Sequence, residues 1–359
     1  MSDDMPVFSD EERDLIRSSI RRLLEDEWPS LSAVELSKDP ASVKGIWGAL
    51  AALGVPDLGR NPDMGGLAEI LLVFEEMGRA CCPAPLLGAV ISNLLREQNE
   101  AVTDVTVPPA DSVNYAVGFG PFDGDRAAGE TVLSGGTING SCHFVEGAEV
   151  ADRVVVFLAE PSGVAVVDAG ASGVSIVSTP ALSLPNLASV HFDGSPALFL
   201  PVPSQALRAL VQIARLATAA RALGSAQRGY ELVVEHANTR KQFGKFIGQF
   251  QAVQHRLVDN LTRLDGARLT MEAAARAYSE KLEAWSVFAD LSLAHLNPGL
   301  RQLAIDMHQL MGAIGYSEEH ELPRHFRQIH GNVSRFGGVL RARADIGAYL
   351  VASASQSSQ

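Results

Sequence analysis

Cysteine is scarce: the chain has three in 359 residues, and two of them, Cys81 and Cys82, are adjacent. This forms neither a disulfide framework nor a CxxC metal or redox pair, and it points to a reducing compartment. Basic residues are outnumbered, 29 against 42 acidic, and the resulting charge of -13 argues against broad attachment to nucleic acid or anionic membrane. Apolar runs of about 18 residues are lacking, as is a basic stretch followed by an apolar core near the acidic start MSDDMPVFSDEERD. The expectation is a soluble, cytoplasmic protein with no membrane span. A GxSxG elbow and a P-loop lysine motif are both missing, so hydrolase and kinase readings lack support. The glycines of GFGPFDG, Gly118 to Gly124, are spaced GxGxxxG and do not stand between a buried strand and a helix. The dinucleotide fingerprint therefore fails on spacing and on context.

What is present is a folded-protein composition, 47% hydrophobic and 20% charged, at a length that suggests two or three domains. From residue 9 to about 97 the apolar positions recur at helical intervals, opened by Ser9 and Glu12 at capping-box spacing and followed by Leu15, Ile16, Ile20, Leu23 and Leu24. From about Val102 to Pro203, short β-branched runs alternate with Gly, Pro, Asp and Ser, which predicts an antiparallel sheet or barrel rather than a Rossmann unit. The helical period returns at Ser204. One face of the helix beginning near Gln251 is marked by Val253, Leu257, Leu261, Leu264 and Met271, and the Ala-rich segment before it suits a helix packed within a bundle or against another subunit. The expected class is α+β, with an N-terminal helical domain over 1–101, a central antiparallel β domain over 102–203 and a C-terminal four-helix bundle over 204–359. Only the tail SASQSSQ reads as disordered.

His320, His325 and His330 are five residues apart. On a helix that spacing turns successive side chains about 140° apart, and Pro323 is expected to break the helix, so a metal site is not expected. The stretch NTRKQFGKFIGQFQAVQHR, Asn238 to Arg256, concentrates positive charge in an acidic chain. It is either a solvated loop or an anion site in which Arg240, Lys241 and Lys245 meet a phosphate beside a helix N-terminus.

This stretch resembles the R-x-x-F-G-x-x-I-x-x-F-Q-x-x-Q segment of the acyl-CoA dehydrogenase family. The later QLMGAIGYSEEHELPRHFR resembles that family's Q-x-x-G-G-x-G-Y-x-x-E-x-x-x-x-R, and the helical, β, helical order and the loop GVPDLGRNPDMGG match as well. The resemblance implies α,β-dehydrogenation of an acyl-CoA, with FAD taking the hydride, a carboxylate base taking the proton, and an electron-transfer flavoprotein or similar acceptor. It also implies FAD contacts reaching across a subunit interface from Arg240, with Gln242 and Phe243 beside it, from Gln251, and from Gln309, Gly312 and Ala313. The alternative is that Phe243 and Phe250 anchor the loop in a hydrophobic core and that Gln309 caps a helix.

Other family positions are altered. On the segment [YF]-x-x-T-E-P-x-A-G-S-D, laid over Tyr115 to Asp125, Gly118 replaces the flavin-facing threonine. On N-G-x-K-x-W-I-T-N, laid over Asn139 to Gly147, Phe144 replaces the tryptophan and Glu146 the threonine. The two places where the family carries its base hold Phe336 and Ala214, and neither can accept a proton. The pattern resembles the smaller, non-catalytic partner in heterotetrameric acyl-CoA dehydrogenases of actinobacterial type, which often act on bulky steroid CoA thioesters. The expectation is an α2β2 assembly in which this chain shares FAD with a homologous subunit. Two alternatives stay open: a self-sufficient homotetramer using Glu318 or Glu319, and a flavin-free acyl-CoA-binding scaffold.

Overall fold

The computed structural model describes residues 8–29, 31–97, 107–123, 130–179, 181 and 186–357. The expected strand start near Val102 and two positions of the first flavin segment, Gly124 and Asp125, lie outside the described residues. Helices α1 (Asp10–Glu27), α2 (Ala33–Leu36), α3 (Pro40–Ala51), α4 (Leu67–Arg79) and α5 (Leu86–Glu97) form the first layer. The capping box at Ser9 is present: the Ser9 hydroxyl accepts from Glu12 N at 3.3 Å, and the Glu12 carboxylate accepts from Ser9 N at 2.8 Å. Helix α1 lies on α4 through Arg13, Arg17 and Arg21, which pair with the buried Glu69 and Glu76 at 2.7–2.9 Å. The loop GVPDLGRNPDMGG folds as two short 3-10 turns, Val55–Asp57 and Pro62–Met64.

Eight strands follow in two four-stranded sheets. The first has the order β1 (Tyr115–Gly118), β4 (Arg153–Leu158), β5 (Gly163–Asp168), β8 (Leu198–Pro201); the second has β2 (Thr131–Ser134), β3 (Thr137–Glu146), β7 (Leu187–Pro196), β6 (Val174–Ser178). The first sheet is buried on both faces, and the period of two is visible in where its side chains go. Tyr115, Val117, Val155, Phe157, Val164 and Val166 join the helical core, whereas Ala116, Val154, Val156, Ala165 and Val167 join the core between the sheets. Pairing is antiparallel with one exception, β1 against β4, which is parallel. The chain leaves the first sheet after β1, builds β2 and β3 in the other sheet, and returns to β4 in the same direction, so the strict antiparallel expectation fails at that edge.

Helix α6 (Ser204–Thr239) runs 36 residues and is buried almost throughout from Leu210 to Ala226. It crosses α4 at backbone contact. A Cβ on Gly78 would stand 1.9 Å from Arg221 O, and one on Gly224 would stand 1.8 Å from Glu75 O. Because backbone on both sides blocks the methyl, Gly78→Ala or Gly224→Ala is expected to destabilise the fold by about 3 kcal/mol or more. Thermal unfolding of either variant within a degree of wild type would contradict this contact.

A short hairpin, β9 (Lys241–Gln242) and β10 (Lys245–Phe246), leads to α7 (Gln251–Ser279), α8 (Trp285–Met311), α9 (Leu322–Ser334) and α10 (Gly338–Ser357). Three expectations are corrected here. Leu264 and Met271 on α7 are buried, but Leu261 is 41% exposed, beside Val258 at 60%, because the first turns of α7 outrun the chain's own core. Pro323 does not break a helix: it sits in the first turn of α9, where its missing N–H has no intrahelical partner to lose. The C-terminal tail is helical through Ser357 rather than disordered.

Candidate functional site

The basic stretch forms an exposed arm. Phe243 and Gly244, both with positive φ (50° and 79°), make the two-residue turn between β9 and β10. Phe243 is 91% exposed, so it does not anchor the loop in the core; its ring meets Phe250 edge-on at 6.2 Å. Lys241 lies over Phe246 at 4.7 Å and Lys245 over Phe250 at 4.2 Å, which stiffens the arm. The side chains of Arg240, Lys241 and Lys245 are exposed, and no carboxylate within 4 Å pairs with any of them among the described residues. Gln242 is exposed on β9, and Gln251 opens α7 with no side-chain cap on that helix end. This combination of unpaired cations and free helix N–H groups is what an oxygen anion requires.

The second motif closes α8. Gln309 is exposed in the last turn, and the N–H that caps this helix end is that of Gly312, to His308 O. Gly312 has φ 63° and ψ -142°, a conformation essentially reserved for glycine, and a Cβ there would meet nothing within 4 Å. Gly312, Ala313, Ile314 and Tyr316 thus present bare backbone and an exposed ring to solvent. His236, on the last turn of α6, feels both Arg240 and His320: burial first, then these two neighbours, push its pKa down.

Two of the positions expected to face a flavin from within the chain, Gly118 and Glu146, are closed, whereas Phe144 is 39% exposed. A Cβ on Gly118 would lie 2.7 Å from Cys142 Sγ, so strand β3 excludes a threonine there. Glu146 is buried and held by two arginines that motif reading did not single out. Arg221 of α6 donates to both its carboxylate oxygens, at 2.7 and 3.0 Å, and Arg335 donates at 2.8 Å and also to Phe144 O at 3.0 Å. Burial alone would raise the Glu146 pKa; Arg221 and then Arg335 outweigh it and hold the carboxylate below its ordinary value. Arg335 stacks over Phe336 at 4.8 Å, and Phe336, at φ 52° and 2% exposed, meets Phe119 edge-on at 4.9 Å. The other base position, Ala214, is buried inside α6. Of the remaining acids, Glu318 is exposed and tied to Arg327 at 2.8 and 3.0 Å, and Glu319 is exposed.

A cavity of about 620 Å³ adjoins one base position, Phe336, and is bounded also by Phe122, Gln212, Arg215 and Trp285. Its size falls within the range of small-molecule sites. Arg215 bonds Asp290 at 2.8 Å in its wall. Among the described residues no group of three or more His, Cys, Asp or Glu could hold a metal, and no helix is long and apolar enough to cross a membrane.

Comparison with known proteins bears on the whole chain. Residues 204–337 match the family model described as "Acyl-CoA dehydrogenase, C-terminal domain". Acyl-CoA dehydrogenase IpdE2 of Mycobacterium tuberculosis is 26% identical over 344 residues, covering 90% of this chain and 92% of that protein. Two solved assemblies share the fold: the steroid ACAD Tcur3481-Tcur3483, with TM-score 0.85, 23% identity and coverage of 96% and 99%, and the ChsE4-ChsE5 complex of Mycobacterium tuberculosis, with TM-score 0.80, 21% identity and coverage of 97% and 99%. With the arm, the glycine turn and the two-sheet domain between helical layers all in one chain, residues 204–337 carry the acyl-CoA dehydrogenase C-terminal domain, and the chain as a whole is similar to acyl-CoA dehydrogenases.

Proposed function

We propose that the chain is the non-catalytic subunit of a hetero-oligomeric, FAD-dependent acyl-CoA dehydrogenase, completing a flavin site whose base and ring-facing residues belong to a homologous partner. One contrast carries the reading: Glu146 is locked between Arg221 and Arg335 beside Phe336, while the cations of the arm have no acidic partner among the described residues. The first takes Glu146 itself out of use as a proton acceptor; the second suits a pyrophosphate brought by another chain. FAD, when bound in the assembly, supplies the hydride acceptor. Toward it, Arg240 would pair with its pyrophosphate, Gln251 and the N-terminus of α7 would add N–H donors, and Gln309 with the backbone at Gly312 and Ala313 would complete the contact with its adenosine-diphosphate part. Gln242 and Phe243 flank the contact. An α2β2 assembly acting on a bulky, steroid-type CoA thioester, with an electron-transfer flavoprotein as acceptor, is the form we infer, since the related structures include a steroid ACAD.

The test is reconstitution. Purified alone, the chain is expected to carry no flavin and no acyl-CoA dehydrogenase activity; co-expressed with its partner, it should yield one FAD for every two subunits. One FAD per chain on the lone protein, with turnover, would instead mark a self-sufficient homotetramer. A flavin-free complex would mark a scaffold.

A further inference from the structure

Cys81 occupies the place after α4 where a helix end usually takes glycine. Its N–H bonds Gly78 O at 3.1 Å, the next N–H bonds Met77 O at 2.9 Å, and its φ is 51°. A non-glycine residue in this conformation is uncommon, and such strain gathers where a side chain must be aimed. The sulfur is aimed at α9: Cys81 Sγ lies 3.4 Å from His325 Nδ1. The far ring nitrogen, Nε2, lies 3.9 Å from Glu321 Oε2. Burial would push the His325 pKa down, but the charge and hydrogen bond of Cys81, followed by those of Glu321, raise it to about 9. Near this pair stand His320, Arg327 and Arg228, the last of which shares Glu321. Cys81 also lines a largely apolar cavity of about 640 Å³, with Val43 and Val150 in its walls and Lys38, Arg324 and Arg327 among its polar groups.

A thiol with a base at hydrogen-bond range, a carboxylate behind the base and an apolar chamber in front of the sulfur is the layout of nucleophilic thiol chemistry. We propose that Cys81 takes an acyl group from a thioester bound in this cavity, with His325 as its proton acceptor and donor and Glu321 as a positioning residue. The activity is separate from the flavin contacts proposed above. His325 takes the Sγ proton and the thiolate attacks the acyl carbon. The bond from that carbon to the leaving sulfur breaks, and His325 returns the proton to the departing thiolate. The products are acyl-Cys81 and a free thiol, with no change in oxidation state. The apolar walls suit the acyl chain and the cations suit a polar leaving group.

The probe is the octanoyl thioester of N-acetylcysteamine, and the readouts are intact mass and peptide mapping of the full chain. One acyl group is expected, on Cys81, while Cys82 and Cys142, buried thiols pushed up to about 12, stay unmodified. Acylation should run about 100-fold faster in the native chain than in the same chain unfolded in urea, the low end of general-base assistance. His325→Gln should remove most of that advantage and Cys81→Ser all of it. Glu321→Gln should lower the His325 titration midpoint measured by NMR; an unchanged midpoint overturns the positioning role. Native acylation no faster than in the unfolded chain overturns the proposal even where the His325 variant does not fold.

Discussion

Arg221→Met is expected to destabilise the fold by about 3–5 kcal/mol, the range for removing one member of a buried ion pair. The side chains of Arg221 and Glu146 are 1% and 3% exposed, so the orphaned carboxylate could not recover water. Arg335 alone would remain to hold it, and that residue reaches a single carboxylate oxygen. Burying charge is not in itself stabilising, so replacing Glu146, Arg221 and Arg335 together by apolar residues of similar volume should recover much of the loss. The pH dependence follows with a definite sign. The folded pKa of Glu146 lies below its unfolded value, so its contribution is fully present above the unfolded carboxylate pKa of about 4.3 and fades as pH falls through the folded value. Urea unfolding of wild type and Arg221→Met at neutral pH and in acid measures both effects. A neutral-pH loss below about 1 kcal/mol would show that the triad is not the lock described here.

Arg240→Glu is expected to strip FAD from the co-expressed assembly without changing subunit association. A charge-assisted hydrogen bond to phosphate contributes about 1.5–3 kcal/mol, so Arg240→Ala should weaken flavin binding about 10- to 150-fold, and the reversed charge should weaken it further. Flavin absorbance after gel filtration, with native mass to verify the assembly, separates lost cofactor from lost partner. Because Arg240 is exposed at the end of α6 and outside the core, the variant should unfold like wild type. Full flavin retention in Arg240→Glu would sink the proposed contact.

Much of the architecture was legible because local rules write it. The capping box at Ser9 and the return of the 3.6 period at Ser204 involve residues close in sequence. The arm was legible for the same reason, since its charges lie within a few positions of one another. What was not legible depends on distant partners. Arg221 and Arg335 stand 75 and 189 residues from Glu146, and His325 stands 244 residues from Cys81. The exposure of Leu261 and Val258 was hidden for another reason: a helical period reports an apolar face but not whether the chain itself covers it. Pro323 misled because the position of a helix start, not the proline, decides whether a helix breaks.

Helix α6 acts as a ruler between the two halves of the site. Arg221 grips Glu146 partway along it and Arg240 begins the arm at its end, 19 residues later and thus about 28 Å away along an uninterrupted axis. A dinucleotide whose ring rested at Glu146 could not bring its pyrophosphate to that arm. Within one chain, then, the cations and the locked carboxylate are held too far apart to share a ligand, and no rotamer or loop movement shortens a straight helix.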